Sequence, residues 1–310
     1  MGKKRRILWA VLLVAVVAMK VWLSTLSPEP VYQGKPLSYW LAGYDTGNYN
    51  VAHPNGPAPP AHAEADEAIR QIGTNACPIL LRMLQQPNSS LTVRLFDLLQ
   101  KQHFIKIPFA PANLNYKAMN AFMALGSRAS NAVPGLVAIF EADPSPFPQQ
   151  AVPAILGEIG PPAEEAIPAL LRGLAHTNVL VRHNVIYALG KIHAQPKLVV
   201  PALIKCLDDP EPLVRAEAAT ALGEFGKDAQ SAVPALRELQ RKEELDPGPA
   251  SKKSMIKSTR FIVKSTGFIV SSSWATATAP TGPFDPDVVG RTTTALNRID
   301  AAAAAEADPK

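Results

Sequence analysis

The sequence predicts an all-α chain: an α-solenoid of stacked helix pairs, with one N-terminal transmembrane helix and a small β-hairpin insertion near the C-terminus. Three observations predict it. An apolar stretch flanked by basic residues occupies 7–26. A unit of about 33 residues recurs from the middle of the chain onward. Within each unit, two apolar stripes of helical period are separated by a glycine and then a proline.

Composition narrows the function classes first. The chain has 310 residues, 47% of them hydrophobic and only 6% aromatic, with 30 prolines against 18 glycines. The net charge of +5 is misleading, because Lys3, Lys4, Arg5, Arg6 and Lys20 supply all of it. The rest of the chain is neutral, which argues against a nucleic-acid-binding solenoid, since phosphate neutralisation needs a basic surplus. Two cysteines are too few for a disulfide-built scaffold.

Residues 1–6 form a basic tail and 7–26 the expected anchor. Twenty residues as a helix span roughly 30 Å, one hydrocarbon core. Lys20 can snorkel near the far end, and Trp9 and Trp22 mark the two interfaces. The basic tail should stay cytoplasmic, which places the remainder on the periplasmic or extracellular side. The alternative is secretion after signal-peptide cleavage, with Thr25-Leu-Ser27 as the best site; the following Pro28 is a poor context for it. Residues 27–60, with seven prolines from Pro28 to Pro60, read as a stiff extended tether. Within it Leu37, Trp40 and Leu41 suit a short helix docked on the following domain.

The repeat region spans 61–243. Ile155-Leu-Gly-Glu-Ile-Gly160, Ala188-Leu-Gly-Lys-Ile-His193 and Ala221-Leu-Gly-Glu-Phe-Gly226 align, and each is followed eight residues later by Pro168, Pro201 or Pro234. Gly126 and Pro134 keep the same spacing, and Gly73 with Pro78 shortens it by three. Before each glycine lies one stripe: Val214, Ala218, Ala221, Leu222 and Phe225 in the clearest unit, Val181, Val185, Ala188, Leu189 and Ile192 in the preceding one. Gly126, Gly160 and Gly226 should be left-handed caps of first helices. The prolines should sit in the first turn of second helices, where a missing N–H costs nothing. Gly190 and Gly223 are further repeat positions.

Val214-Arg-Ala-Glu-Ala-Ala-Thr-Ala-Leu-Gly-Glu-Phe-Gly226 followed by Ala232-Val-Pro-Ala-Leu resembles a HEAT repeat of the short bacterial, phycobilisome-lyase-like type. That resemblance implies a binding scaffold for a protein or peptide partner, with second helices lining the concave face. Some members of the group are enzymes, so a lyase-like activity is the alternative; a nucleic-acid-binding solenoid is the second.

Two stretches break the pattern. The gap from Pro78 to Pro134 leaves room for an extra helix starting at Val93-Arg94. Residues 244–284 match no repeat and contain Ser258-Thr-Arg-Phe-Ile-Val263 and Ser265-Thr-Gly-Phe-Ile-Val270, read as a β-hairpin. Val288, Thr292, Ala295, Leu296 and Ile299 then restore one stripe, a capping half-repeat over 285–300, before a frayed, disordered tail over 301–310.

Candidate chemistry is sparse. His176, His183 and His193 share one unit, but His193 takes the cap slot that glycine holds elsewhere, and the His-Glu dipeptides of HEAT-repeat hydroxylases are lacking. No metal site, cofactor or catalytic residue is expected. Cys77 aligns with Val133, Ile167, Val200 and Val233 as core filler. Arg182 and Arg215 hold equivalent first-turn slots, with Asn178 and Asp209 as available partners; Gln149 and Asn115 replace them in earlier units. Arg82, Arg172 and Lys205 stand four residues after their prolines, where Ala138 and Glu238 occupy the other units. This could be a basic stripe for an acidic peptide or glycan, or an ordinary solvated face.

Overall fold

The computed structural model describes residues 29–44, 59–85, 114–142, 146–245 and 287–307. The expected anchor over 7–26, the helix at Val93 and the hairpin within 244–284 lie outside the described residues. Among the described residues, no helix is long and apolar enough to cross a membrane.

The chain opens with β1 (Val31–Tyr32) and β2 (Lys35–Pro36), a two-residue antiparallel ladder, followed by α1 (Leu37–Leu41) and a 3-10 turn, Ala42–Tyr44. The sequence reading had no strand here. Gln33 and Gly34 between the strands both take positive φ, +48° and +71°, the backbone of a tight primed turn. Leu37, Trp40, Leu41 and Tyr44 are buried against the first repeat helix. Residues 29–44 of the expected tether, its short helix with Leu37, Trp40 and Leu41 included, fold onto the domain. The reason is apolar content: Leu37, Leu41 and Tyr44 have enough buried surface to offset ordering the chain.

Five helix pairs follow among the described residues: α2 (His62–Ile72) with α3 (Cys77–Gln85), α4 (Leu114–Leu125) with α5 (Val133–Glu141), α6 (Pro146–Ile159) with α7 (Ile167–Gly173), α8 (Val179–Ile192) with α9 (Pro196–Cys206), and α10 (Pro212–Glu224) with α11 (Val233–Leu245). Helix α12 (Val288–Ala307) closes the series. The first helices pack side by side in chain order, α2 on α4, α4 on α6, α6 on α8, α8 on α10 and α10 on α12. The predicted stripes supply one continuous core, with Val181, Val185, Ala188, Leu189, Ile192, Val214, Ala218 and Leu222 all at or near zero exposure.

Backbone geometry at the unit ends follows the residue types. Gly73, Gly126, Gly160 and Gly226 have φ between +50° and +73°, and His193 adopts the same left-handed form at φ +51°. The histidine pays the steric cost of a Cβ there and stacks its ring on Phe225, centroids 4.7 Å apart. The second glycine of the repeat, inside the first helix, has another use. A Cβ on Gly157 would lie 2.8 Å from the Tyr187 ring, on Gly190 3.0 Å from the Ala221 Cβ, and on Gly223 2.8 Å from the Ala295 Cα. These glycines let neighbouring first helices approach closely.

Two expectations are corrected by α9 and α12. Pro134, Pro168 and Pro234 are each the second residue of their helix, but Pro201 is the sixth of α9. Gln195 turns left-handed at φ +50° and Pro196 starts that helix early. The Lys197 carbonyl then lacks its helical donor, at an exposed position where water can serve it. The tail over 301–310 is helical as far as Ala307, consistent with the high helix propensity of its alanine run. Helix α12 buries Val288, Thr292, Ala295 and Ile299 on α10 and α11, and it presents Thr293, Thr294, Asn297, Arg298 and Asp300 outward.

Candidate functional site

The second-helix stripe comes out partly neutralised. Arg82, Arg172 and Lys205 are all exposed. Arg172, however, is paired with the Glu141 carboxylate from the preceding second helix. The Arg82 Nε donates to the Pro78 carbonyl at 3.4 Å, within its own helix. Glu238, in the equivalent slot of α11, pairs with Arg241 at 2.7 Å. Among the described residues, no carboxylate pairs with Arg82 or Lys205, so two of the three cations remain available.

The first-turn arginines are structural and well enclosed. The Arg182 guanidinium donates to both Asp209 oxygens at 2.8 and 2.9 Å, and to the His176 and Thr177 carbonyls at 2.9 and 3.2 Å. Each member of that ion pair is 12% exposed. Asn178 does not join it; its side chain caps α8 by accepting from the Leu180 N–H at 2.9 Å. Arg215 repeats the pattern with a different acid. Its Nε and Nη2 donate to the Glu243 Oε1 at 2.8 and 2.5 Å, and its Nη1 serves the Asp209 and Pro210 carbonyls. Arg182 ties the turn before α8 to the turn just beyond α9, and Arg215 ties the turn before α10 to the last part of α11.

The slot changes in earlier units. Gln149 donates to the Phe140 carbonyl at 2.9 Å. Asn115 is 1% exposed, and among the described residues neither its Nδ2 nor its Oδ1 has a partner. A buried amide left unpaired costs about 1–3 kcal/mol. Asn115→Leu, nearly isosteric, is therefore expected to raise stability by about 1–2 kcal/mol, read as a higher melting temperature. A lower one would sink this reading.

A polar ladder across the first helices is the main feature the sequence reading missed. Asn184 donates to the Gln150 carbonyl at 2.8 Å and its Oδ1 lies 3.1 Å from the His183 Nδ1. The His183 Nε2 lies 3.5 Å from the Glu217 Oε2, and Arg291 of α12 donates to the same oxygen at 3.0 Å. Arg291 also reaches the Thr220 hydroxyl at 3.3 Å. Tyr187 bonds Glu158 on one side, and Lys191 meets Glu224 at 2.8 Å on the other. Desolvation raises the Tyr187 pKa and Glu158 adds to the shift, so the phenol stays protonated. A sequence signal existed: Arg291 stands just before the stripe residue Thr292 as Glu217 stands just before the stripe residue Ala218. It is readable only once the stacking register is known.

Burial works against charge on both His183 and Glu217, and their mutual attraction outweighs it. The His183 pKa is raised above 6.5, with the Asn184 contact helping, and the Glu217 pKa is lowered, with Arg291 helping. The signs set a pH window. The Glu217 contribution is present above its unfolded value near 4.5 and fades as pH falls through its lower folded value. The His183 contribution is complete below 6.5 and fades as pH rises through its higher folded value. The α8–α10 contact should be firmest between those two limits, whereas Arg291 of α12 opposes the charge on His183. Hydrogen exchange along α8 and α10 at stepped pH checks this; protection there still rising above pH 7 would contradict it.

The remaining candidates are quiet. Cys77 and Cys206 are free thiols whose pKa burial pushes up to about 11, so neither is an activated nucleophile. The His176 Nδ1 accepts from the Asn178 N–H at 3.0 Å, within the turn. Among the described residues, no group of three or more His, Cys, Asp or Glu is gathered to hold a metal ion.

The helix pairs, their left-handed caps and their arginine ties stand on one register, and the HEAT repeats family matches the chain over residues 133–199 and 167–247. No curated protein matches the chain. Two crystal structures of engineered proteins resemble it, each with 17% sequence identity and a TM-score of 0.37 over 86% of this chain. The match spans 97% of one engineered chain and 68% of the other. Those overlaps are too loose to bear on function. The pairs α2–α3 and α4–α5, which lie mostly before the matched HEAT region, share its stripe and cap geometry.

Proposed function

We propose that this chain is a non-catalytic HEAT scaffold, held by a single-pass anchor at 7–26, whose second-helix face captures a protein or peptide partner outside the cytoplasmic membrane. The observation that carries the reading is the register of the exposed second-helix side chains. Each stands four residues after a repeat proline, so stacked units present one row of side chains to one partner. Arg82 and Lys205 give that row a positive bias suited to an acidic segment. The cap over 29–44 covers α2 and helix α12 covers α10, which leaves the sides of the stack as the natural contact surface. Within the HEAT family, the short unit and its Val-Arg and Leu-Gly positions favour the bacterial phycobilisome-lyase-like type.

Crosslinking in intact membranes, followed by recovery of the anchored chain, tests the reading. The chain should stay in the membrane with its repeats open to protease from outside. A soluble product starting near Pro28 would refute the anchor. Arg82→Glu with Lys205→Glu should abolish capture and leave the melting temperature nearly unchanged, because both side chains are exposed. Unchanged capture would return them to an ordinary solvated face.

A further inference from the structure

We propose that His183 is a proton-controlled latch for α12: a protonated imidazole takes over the Glu217 carboxylate from Arg291 and so loosens the helix that closes the stack. The device is built on one oxygen. The Glu217 Oε2 accepts from the Arg291 Nη1 at 3.0 Å, and the His183 Nε2 lies 3.5 Å from the same atom. His183 belongs to α8, Glu217 to α10 and Arg291 to α12, so three successive layers meet at that carboxylate. The Glu217 side chain is 10% exposed, against 37% for Arg291. The ring tautomer follows from the neighbouring amide. Asn184 donates its Nδ2 to the Gln150 carbonyl, which leaves its Oδ1 facing the His183 Nδ1 at 3.1 Å. An amide oxygen only accepts, so the neutral ring carries its proton on Nδ1. The second proton therefore arrives on Nε2, the nitrogen that faces Glu217.

A buried carboxylate without a cation is strongly disfavoured. While His183 is neutral, departure of α12 takes Arg291 away and leaves Glu217 in that condition. Once His183 is protonated it remains as the partner, so the same departure costs less. The two cations on one oxygen also repel each other. These forces act visibly on the imidazole: burial lowers its pKa, the Glu217 contact raises it by more, and Arg291 pulls part of that gain back. Coupling is reciprocal, so a docked α12 that weakens proton binding at His183 is itself weakened by the proton, by the same factor. The loosening sets in as pH falls through the His183 pKa, which lies above 6.5, and is complete below it. Its direction is opposite to that of the α8–α10 contact, which gains from the same proton.

The other charges around the imidazole are engaged elsewhere. On α8, Arg182 is held by Asp209 and Lys191 by Glu224 of α10. Glu158 of α6 accepts from Tyr187, whose phenol stays protonated, and Arg172 of α7 pairs with Glu141. In the turn 161–166, Glu164 accepts from Gln195 and Glu165 is exposed. Arg215 of α10 is held by Glu243. On α12, Asp287 accepts from the Gly290 N–H, and Arg298 and Asp300 are exposed. The remaining ties of α12, Arg291 to the Thr220 hydroxyl and Gln240 to the Thr293 hydroxyl, end on groups that do not titrate.

The test uses the full chain in detergent and two measurements that must agree. Hydrogen exchange over 288–299, corrected for the intrinsic pH dependence of exchange, should show α12 opening about fivefold more often as pH falls from about 8.5 to about 6. In His183→Gln the opening should not change with pH. The second measurement follows the His183 ring by NMR, assigned through its proximity to Asn184. Arg291→Gln should raise the proton affinity of His183 by about the same fivefold. Opening of α12 that is independent of pH in the wild type, or that still grows on acidification in His183→Gln, would overturn the latch. So would a His183 titration that Arg291→Gln leaves unmoved, a result that stands even if His183→Gln does not fold.

Discussion

Arg182→Ala is expected to lower the unfolding free energy by about 3–5 kcal/mol, the range for removing one partner of a buried ion pair. The geometry places the pair in that class. Both side chains are 12% exposed, the contact is bidentate, and the guanidinium also serves two carbonyls in the turn before α8. Removal would leave the Asp209 carboxylate half-enclosed, with the Glu211 N–H at 2.9 Å as a remaining donor. The two carbonyls would lose their donor as well. Denaturant unfolding of the wild type, Arg182→Ala, Asp209→Ala and the double variant measures the coupling. A single-variant loss below about 1 kcal/mol, the scale of an exposed pair, would show that water screens it.

Leu189→Ala should cost about 2–5 kcal/mol, and the damage should spread. Leu189 is fully buried at the centre of the stack, in a helix flanked by α6 and α10. The approach there is tight: Gly157 and Gly190 leave no room between backbones for relaxation. A cavity at Leu189 should therefore loosen both neighbours, as expected where each unit is supported mainly by those beside it. Hydrogen exchange should show lost protection over 146–159 and 212–224 as well as 179–192. Loss confined to α8 would mean that the units are energetically independent.

Much of the repeat architecture was legible in the sequence. The stripe from Val214 to Phe225 became a buried helix face, and the glycines before each second helix took positive φ. His193 in a glycine slot adopted the glycine conformation. Pro201 went the other way. Its spacing matched the other prolines, yet Pro196 started the helix first, a competition between two local signals that spacing alone does not resolve. The row Arg82, Arg172 and Lys205 was visible as a pattern, but its charge was not, because Glu141 answers Arg172 from another helix 31 residues away.

What the sequence by itself determined was local: the period of the repeat, the faces of its helices, the left-handed caps and the positions of most second helices. Those follow from 3.6-residue periodicity, from the freedom of glycine at positive φ and from the missing N–H of proline, none of which depends on distant residues. Only the tertiary structure decided which polar groups meet. Glu217 and Arg291 are 74 positions apart, and Arg215 finds Glu243 where Arg182 finds Asp209. It also decided that Tyr44 meets α2, donating to Asp66 at 2.8 Å. Such contacts depend on the offset between stacked helices and on how closely Gly157, Gly190 and Gly223 let them approach. Side-chain reach across that spacing, rather than residue order, selects the partners.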